Sequence, residues 1–112
     1  MIFLFGPLYS GKRAACARLL GCGETELARR CVWDVQELVR SRRDLEALSE
    51  ELSRYDAVIA TEVGSGVVPL DAGEREARER AGRLNCLLAA RASAVYRVFC
   101  GIPMLLKGEE PC

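Results

Sequence analysis

The chain has 112 residues, half of them hydrophobic and 29% charged, a globular composition for one domain over 1–112 that excludes disordered and fibrous classes. Its 16 basic and 16 acidic residues leave no net charge, so the basic surplus with which nucleic-acid-binding domains neutralise phosphates is missing and no nucleic-acid partner is expected. No apolar run approaches the ~20 residues that cross a bilayer, and the apolar residues 1–5 lack the basic flank of a secretory signal, so a cytoplasmic protein with no membrane partner is expected.

Residues 2–5 are a short continuous apolar run ended by Gly6 and Pro7, the pattern of a buried strand in a parallel sheet. Residues 12–20 are rich in Ala, Arg and Leu and read as a helix closed at Gly21. A second helical piece falls at 24–30, and 31–35 is a candidate strand that Asp34 interrupts. Leu45, Leu48 and Leu52 stand at helical spacing within 44–54, with Asp44 placed as the N-cap. Residues 57–61 form another apolar strand, and Gly64, Ser65, Gly66 and Pro69 mark a loop. The longest helical pattern is 74–92, with Leu84, Leu87 and Leu88 as core. Residues 94–100 alternate Val95 and Phe99 on one face with Tyr96 and Val98 on the other, and Gly101, Pro103 and a Gly- and Pro-containing tail end the strand. Alternating strands and helices imply right-handed crossovers and an α/β fold, a small mostly parallel sheet of at most four strands flanked by helices.

The chain has no histidine, which removes His-dependent acid–base chemistry and His metal ligands. Two lysines stand against fourteen arginines, so each lysine is informative. The six cysteines, at 16, 22, 31, 86, 100 and 112, form no Cys-x-x-Cys pair and are expected as reduced thiols, mostly small core residues. The arginines at 40, 42 and 43 and at 75, 78, 80 and 83 sit among glutamates and read mainly as mixed-charge surface. Trp33 and Tyr96 read as core or interface aromatics.

The segment Gly6-Pro7-Leu8-Tyr9-Ser10-Gly11-Lys12-Arg13 links the first strand to the first helix. It fits the phosphate-binding pattern G-x-x-x-x-G-K-[ST] at every position but the last. Glycines let backbone N–H groups curl around phosphate oxygens, the helix N-terminus adds partial positive charge, and Lys12 reaches the terminal phosphates. Gly6, Ser10, Gly11, Lys12 and Arg13 are thus the candidate phosphate-binding residues. Arg13 replaces the hydroxyl that holds magnesium. It offers the cation no lone pair and instead adds positive charge for phosphate. The plain alternative is a turn that happens to contain Gly and Lys.

Glu62 follows the strand 57–61, at the end of a parallel sheet where such folds bind ligands. It is a candidate catalytic carboxylate able to hold magnesium directly or through water, and alternatively an N-cap or loop carboxylate.

From Glu62 on, the sequence resembles a known family. Glu62-Val63-Gly64-x-Gly66-Val67-Val68-Pro69, then Arg75-x-x-Arg78-Glu79-x-x-Gly82-x-x-Asn85, then Gly101-x-Pro103-x-x-Leu106-Lys107, resembles the cobinamide kinase family. These are the bifunctional adenosylcobinamide kinase / adenosylcobinamide-phosphate guanylyltransferases of cobalamin biosynthesis. The likeness runs without a gap over about residues 56–107 and returns over about 1–20, together roughly two thirds of the chain. It implies a reduced P-loop fold and ATP or GTP, with Mg2+, as cofactors. It also implies nucleotide and corrinoid small molecules as partners and a homo-oligomer, a trimer in the family. Lys12 and Glu62 would be the catalytic residues of a kinase that phosphorylates the aminopropanol hydroxyl of adenosylcobinamide.

Several positions depart from the family pattern. Thr61 stands for the usual asparagine, Cys86 for glutamine and Ala77 for an aromatic residue. The guanylyltransferase step of the family passes through a GMP-carrying histidine, and the segment that bears it has no counterpart here. Trp33-Asp34-Val35-Gln36-Glu37 corresponds to a Trp-x-Thr-x-Glu piece just after that segment. Near residue 56 one strand does the work of two, leaving no magnesium-positioning aspartate unless Asp56 has moved to the strand's start. Two functions follow: a reduced cobinamide-kinase-like enzyme, or a catalytically degenerate binding protein or partner subunit of a full-length enzyme. A small P-loop kinase for another substrate is a third.

Overall fold

The computed structural model describes residues 1–62 and 71–108. Strand β1 (Ile2–Gly6) leads through a loop into helix α1 (Lys12–Leu20), followed by α2 (Glu24–Arg30) and the short β2 (Cys31–Val32). A 3-10 helix (Val35–Arg40) and α3 (Leu45–Leu52) precede β3 (Ala57–Thr61). The long α4 (Ala72–Arg91) is followed by β4 (Ala94–Phe99) and β5 (Ile102–Lys107). The sheet has strand order β2-β3-β1-β4-β5. All neighbours are parallel except β4 and β5.

The apolar strands are buried because helices cover both faces of the sheet. On one face Phe3, Val58, Ala60 and Val95 pack with Val35, Val39, Leu48, Leu52, Leu84 and Leu88, from the 3-10 helix, α3 and α4. On the other, Leu4, Ile59, Tyr96 and Val98 pack with Ala15, Cys16 and Leu27 of α1 and α2. Period-2 side-chain alternation thus sends neighbours on each strand to opposite layers. Leu84 and Leu88 are fully buried, as expected, and Leu87 is half-buried. The Asp44 side chain accepts a 3.1 Å hydrogen bond from the Ala47 N–H and caps α3.

The sheet has five strands, not the four at most that were expected, because residues 102–107 are a strand rather than a terminal tail. Cys100 and Gly101 both have positive φ, 52° and 76°, which is what a two-residue hairpin turn with the strands' own twist requires. Pro103 is tolerated because β5 is an edge strand that need not donate outward. The Lys107 ammonium donates to the Ala89 and Ala90 carbonyls at 2.9 and 3.1 Å, tying the hairpin to the C-terminal end of α4.

The expected strand 31–35 stops at Val32, since Asp34 turns into the left-handed region at φ 58° and starts the 3-10 helix, an element that the sequence pattern does not announce. Arg80 donates to the Val39 carbonyl at 3.3 Å and to the carbonyls of Arg42 and Arg43, so this arginine of the charged helix face closes the end of the 3-10 helix. The Gly64–Pro69 loop and Cys112 lie outside the described residues. No helix among the described residues is long and apolar enough to cross a membrane.

Candidate functional site

The chain leaves β1 at Gly6, and the reason a glycine stands there is local. A side-chain carbon at Gly6 would lie 2.3 Å from the Val98 carbonyl oxygen of the neighbouring strand and 3.0 Å from the Ser10 hydroxyl. The loop then curls with Tyr9 at φ 60° and Gly11 at φ 82°. Gly11 precedes the first turn of α1, whose N-terminal amides are capped by no side chain and remain able to donate to an anion. The β4–β5 turn buttresses this curl. The Gly101 N–H donates to the Ser10 carbonyl at 2.7 Å, and Arg18 of α1 donates to the Gly101 carbonyl at 2.7 Å.

Lys12 is buried in this frame. Its ammonium donates to the Pro7 carbonyl at 2.6 Å and lies 3.4 Å from the Ser10 hydroxyl. Burial pulls its pKa below the usual lysine value, while the nearby carboxylates of Asp34 and Glu62 push the other way. Arg13 is exposed, with its guanidinium 4.7 Å from the centroid of the Trp33 ring at the end of β2.

Glu62 stands at the end of β3, with its N–H donated to the Gly6 carbonyl at 2.8 Å. Its carboxylate is gripped by Arg97 of β4. Nε meets Oε1 at 2.8 Å and the terminal nitrogen meets Oε2 at 3.2 Å. The carboxylate raises the Arg97 pKa through these hydrogen bonds and its charge. Because β1 lies between β3 and β4, this fork bridges the sheet across the strand that feeds the loop. Beside it, the Gln36 side-chain oxygen accepts from the Thr61 N–H at 2.9 Å.

The structure therefore brings Gly6, Ser10, Gly11, Lys12, Arg13 and Glu62 to one end of the sheet. Asp56 is not among them. It stands at the start of β3, at the opposite end, where Arg30 Nε holds its carboxylate at 2.6 Å. Arg75, Arg78, Gly82 and Asn85 all lie on α4. Asp34 and Arg97 were missed by sequence reasoning. Arg97 could have been found as the one charged residue inside the apolar run of an inner strand, although its side chain is 40% exposed and so carries no strict need for a partner.

A magnesium ion takes oxygen donors in near-ideal octahedral geometry, usually one or two carboxylates with water and phosphate. The described residues do not fit it. Position 13 carries a guanidinium, both oxygens of Glu62 accept from Arg97, Asp56 is remote, and Asp34, whose charge reaches Lys12, belongs to no metal-binding cluster among the described residues. Among the described residues no group of three or more acidic or thiol side chains could hold a metal.

The family model for cobinamide kinase / cobinamide phosphate guanyltransferase matches residues 13–106. One relative is the bifunctional adenosylcobalamin biosynthesis protein CobU of Escherichia coli (strain K12), 34% identical over 79 residues, a stretch covering 67% of this chain and 44% of that protein. The chain matches less than half the length of this relative. The family match over most of this chain makes the assignment: the chain belongs to the cobinamide kinase / cobinamide phosphate guanyltransferase family.

Proposed function

We propose that this chain is a cobinamide-kinase-like nucleotide-binding protein of cobalamin biosynthesis. The loop from Gly6 to Lys12 receives the terminal phosphates of ATP or GTP, and where the chain is active it phosphorylates the aminopropanol hydroxyl of adenosylcobinamide. The observation that carries this reading is Lys12. It is one of two lysines, buried at the head of α1, and turned inward onto the Pro7 carbonyl by a 2.6 Å hydrogen bond. Burial costs this ammonium solvation, which the Pro7 carbonyl and the charges of Asp34 and Glu62 offset in part. A nucleotide phosphate would repay that cost. Phosphoryl transfer is mostly positioning and neutralisation of charge, which the loop's amides and Lys12 can supply. The histidine route to guanylyl transfer is not open to these residues, which include no histidine.

Arg13 and the engaged Glu62 favour a second reading, a catalytically degenerate binding protein or partner subunit of a full-length enzyme. Calorimetric titration of ATP and GTP into the wild type and Lys12→Ala tests nucleotide binding. The wild type should bind and the variant should lose at least about tenfold in affinity, equivalent to about 1.4 kcal/mol. Phosphate transfer from the bound nucleotide to adenosylcobinamide then separates the enzyme from the binding protein. Equal titrations of wild type and variant would sink the loop reading.

A further inference from the structure

The geometry points to a phosphate site that takes its nucleoside polyphosphate as the metal-free anion, with Arg97 as the positioning residue that sets this preference by occupying Glu62. The inference rests on the loop reading above and names the form of ligand that the loop accepts.

Three observations meet at this end of the sheet. First, the position next to Lys12 that would present a hydroxyl to a cation presents the Arg13 guanidinium, a second fixed positive charge. Second, Glu62 is the carboxylate that follows β3, the strand beside β1, and it is held in a two-bond fork by Arg97. A bidentate arginine–carboxylate pair is among the stronger charge-assisted contacts. A magnesium ion that ligated Glu62 directly would have to displace a bond of the fork and shed water from its own shell, and one held through water would compete with Arg97 for the same oxygens. Third, the fork bridges β3 to β4 over β1. It is therefore part of the sheet end from which the loop rises.

The charge balance follows. A triphosphate brings close to four negative charges and needs cations or oriented N–H groups around it. Lys12, Arg13 and the N-terminal amides of α1 provide these without a metal, against the one further carboxylate whose charge is felt at Lys12, Asp34. A free Glu62 carboxylate would repel the phosphates unless a divalent cation intervened. Arg97 cancels that charge in advance. Removing Arg97 should expose Glu62, weaken binding of the free anion and give magnesium something to bind.

The test is the sign of the magnesium effect. ATP is titrated calorimetrically into the wild type, Arg97→Gln, Arg97→Lys, Glu62→Gln and Lys12→Ala, each in EDTA and in excess magnesium. Circular dichroism melts establish that each variant is folded. For the wild type, excess magnesium converts free ATP into its metal complex and should weaken the apparent affinity severalfold. In Arg97→Gln the sign should reverse, with affinity in EDTA falling about tenfold and magnesium restoring part of it. Arg97→Lys, which keeps a charge but not the fork, should fall between and serves if the glutamine variant does not fold. Glu62→Gln should bind at least as tightly as wild type in EDTA.

A wild type that binds tighter with magnesium, or equally in both buffers, overturns the inference while leaving the loop reading intact. So does an Arg97→Gln protein with the wild-type sign, because a fork that only ties two strands together would lower the melting temperature without reversing the metal response. Absence of binding in both buffers, with wild type and Lys12→Ala alike, overturns the loop reading itself and the inference with it.

Discussion

The guanidinium of Arg13 stacks over the ring of Trp33 at 4.7 Å from its centroid, joining the first turn of α1 to the end of β2. Trp33 is the only tryptophan of the chain, so its emission reports on its own surroundings, which are this guanidinium and the apolar layer it packs against. A phosphate bound at the head of α1 would compete for the same guanidinium. Titration with ATP should therefore change Trp33 fluorescence in the wild type, and Lys12→Ala should need at least about tenfold more ATP for the same change. Arg13→Ser should shift the emission of the free protein and abolish most of the response to nucleotide. Its cost in stability should stay below about 1 kcal/mol, the range of an exposed cation–π contact. A wild type whose emission ignores saturating nucleotide would show that Arg13 does not leave the ring.

Gly6 and Gly82 should respond in opposite directions to the same substitution. A methyl group at Gly6 meets the Val98 backbone oxygen at 2.3 Å, and neither strand can yield without disturbing the sheet. Gly6→Ala should cost about 1–3 kcal/mol, the usual range for overpacking a tight site, and should weaken nucleotide binding because the loop springs from this position. Gly82 lies within α4, and a methyl group there would meet nothing within 4 Å. Gly82→Ala should stabilise the protein by about 0.5–1 kcal/mol through helix propensity and a less flexible unfolded chain. Thermal melts of the two variants check both signs.

The parts of the fold that rest on local pattern were readable from the sequence. The bounds of α1 and β3 and the Asp44 cap follow from apolar runs and turn residues close in the chain. The β5 strand was not, because Gly101 and Pro103 are signals of interruption until a positive-φ pair shows that they make a hairpin and an edge. The same division holds at the site. Gly6, Ser10, Gly11 and Lys12 fall within one short segment and carry their own motif. Arg97 is 35 positions from Glu62 in the chain, and only the strand order places β4 and β3 on either side of β1. Asp34 escaped for a related reason. It reads as a break in a strand, and its influence on Lys12 comes through space rather than along the chain.

The Arg40–Glu74 pair gives the fold an acid-sensitive tie. Arg40 of the 3-10 helix donates to both oxygens of Glu74, at 2.7 and 2.9 Å, and so joins that helix to the first turn of α4. Arg40 holds the Glu74 carboxyl below the usual glutamate range, first by hydrogen bonding and then by its charge. A carboxylate whose folded-state pKa is depressed stabilises the fold above its unfolded-state value and loses that contribution as pH falls through the lower folded-state value. At neutral pH, Glu74→Gln should therefore melt slightly below the wild type. The gap should close as pH falls below the usual glutamate range and Glu74 of the wild type is itself protonated. Both side chains are about half-exposed, so the gap should be small and should shrink as salt is raised. Melting curves of the two proteins across this pH range, at low and high salt, check the sign. A gap that widens on acidification would mean that another carboxylate, not Glu74, governs the acid limb.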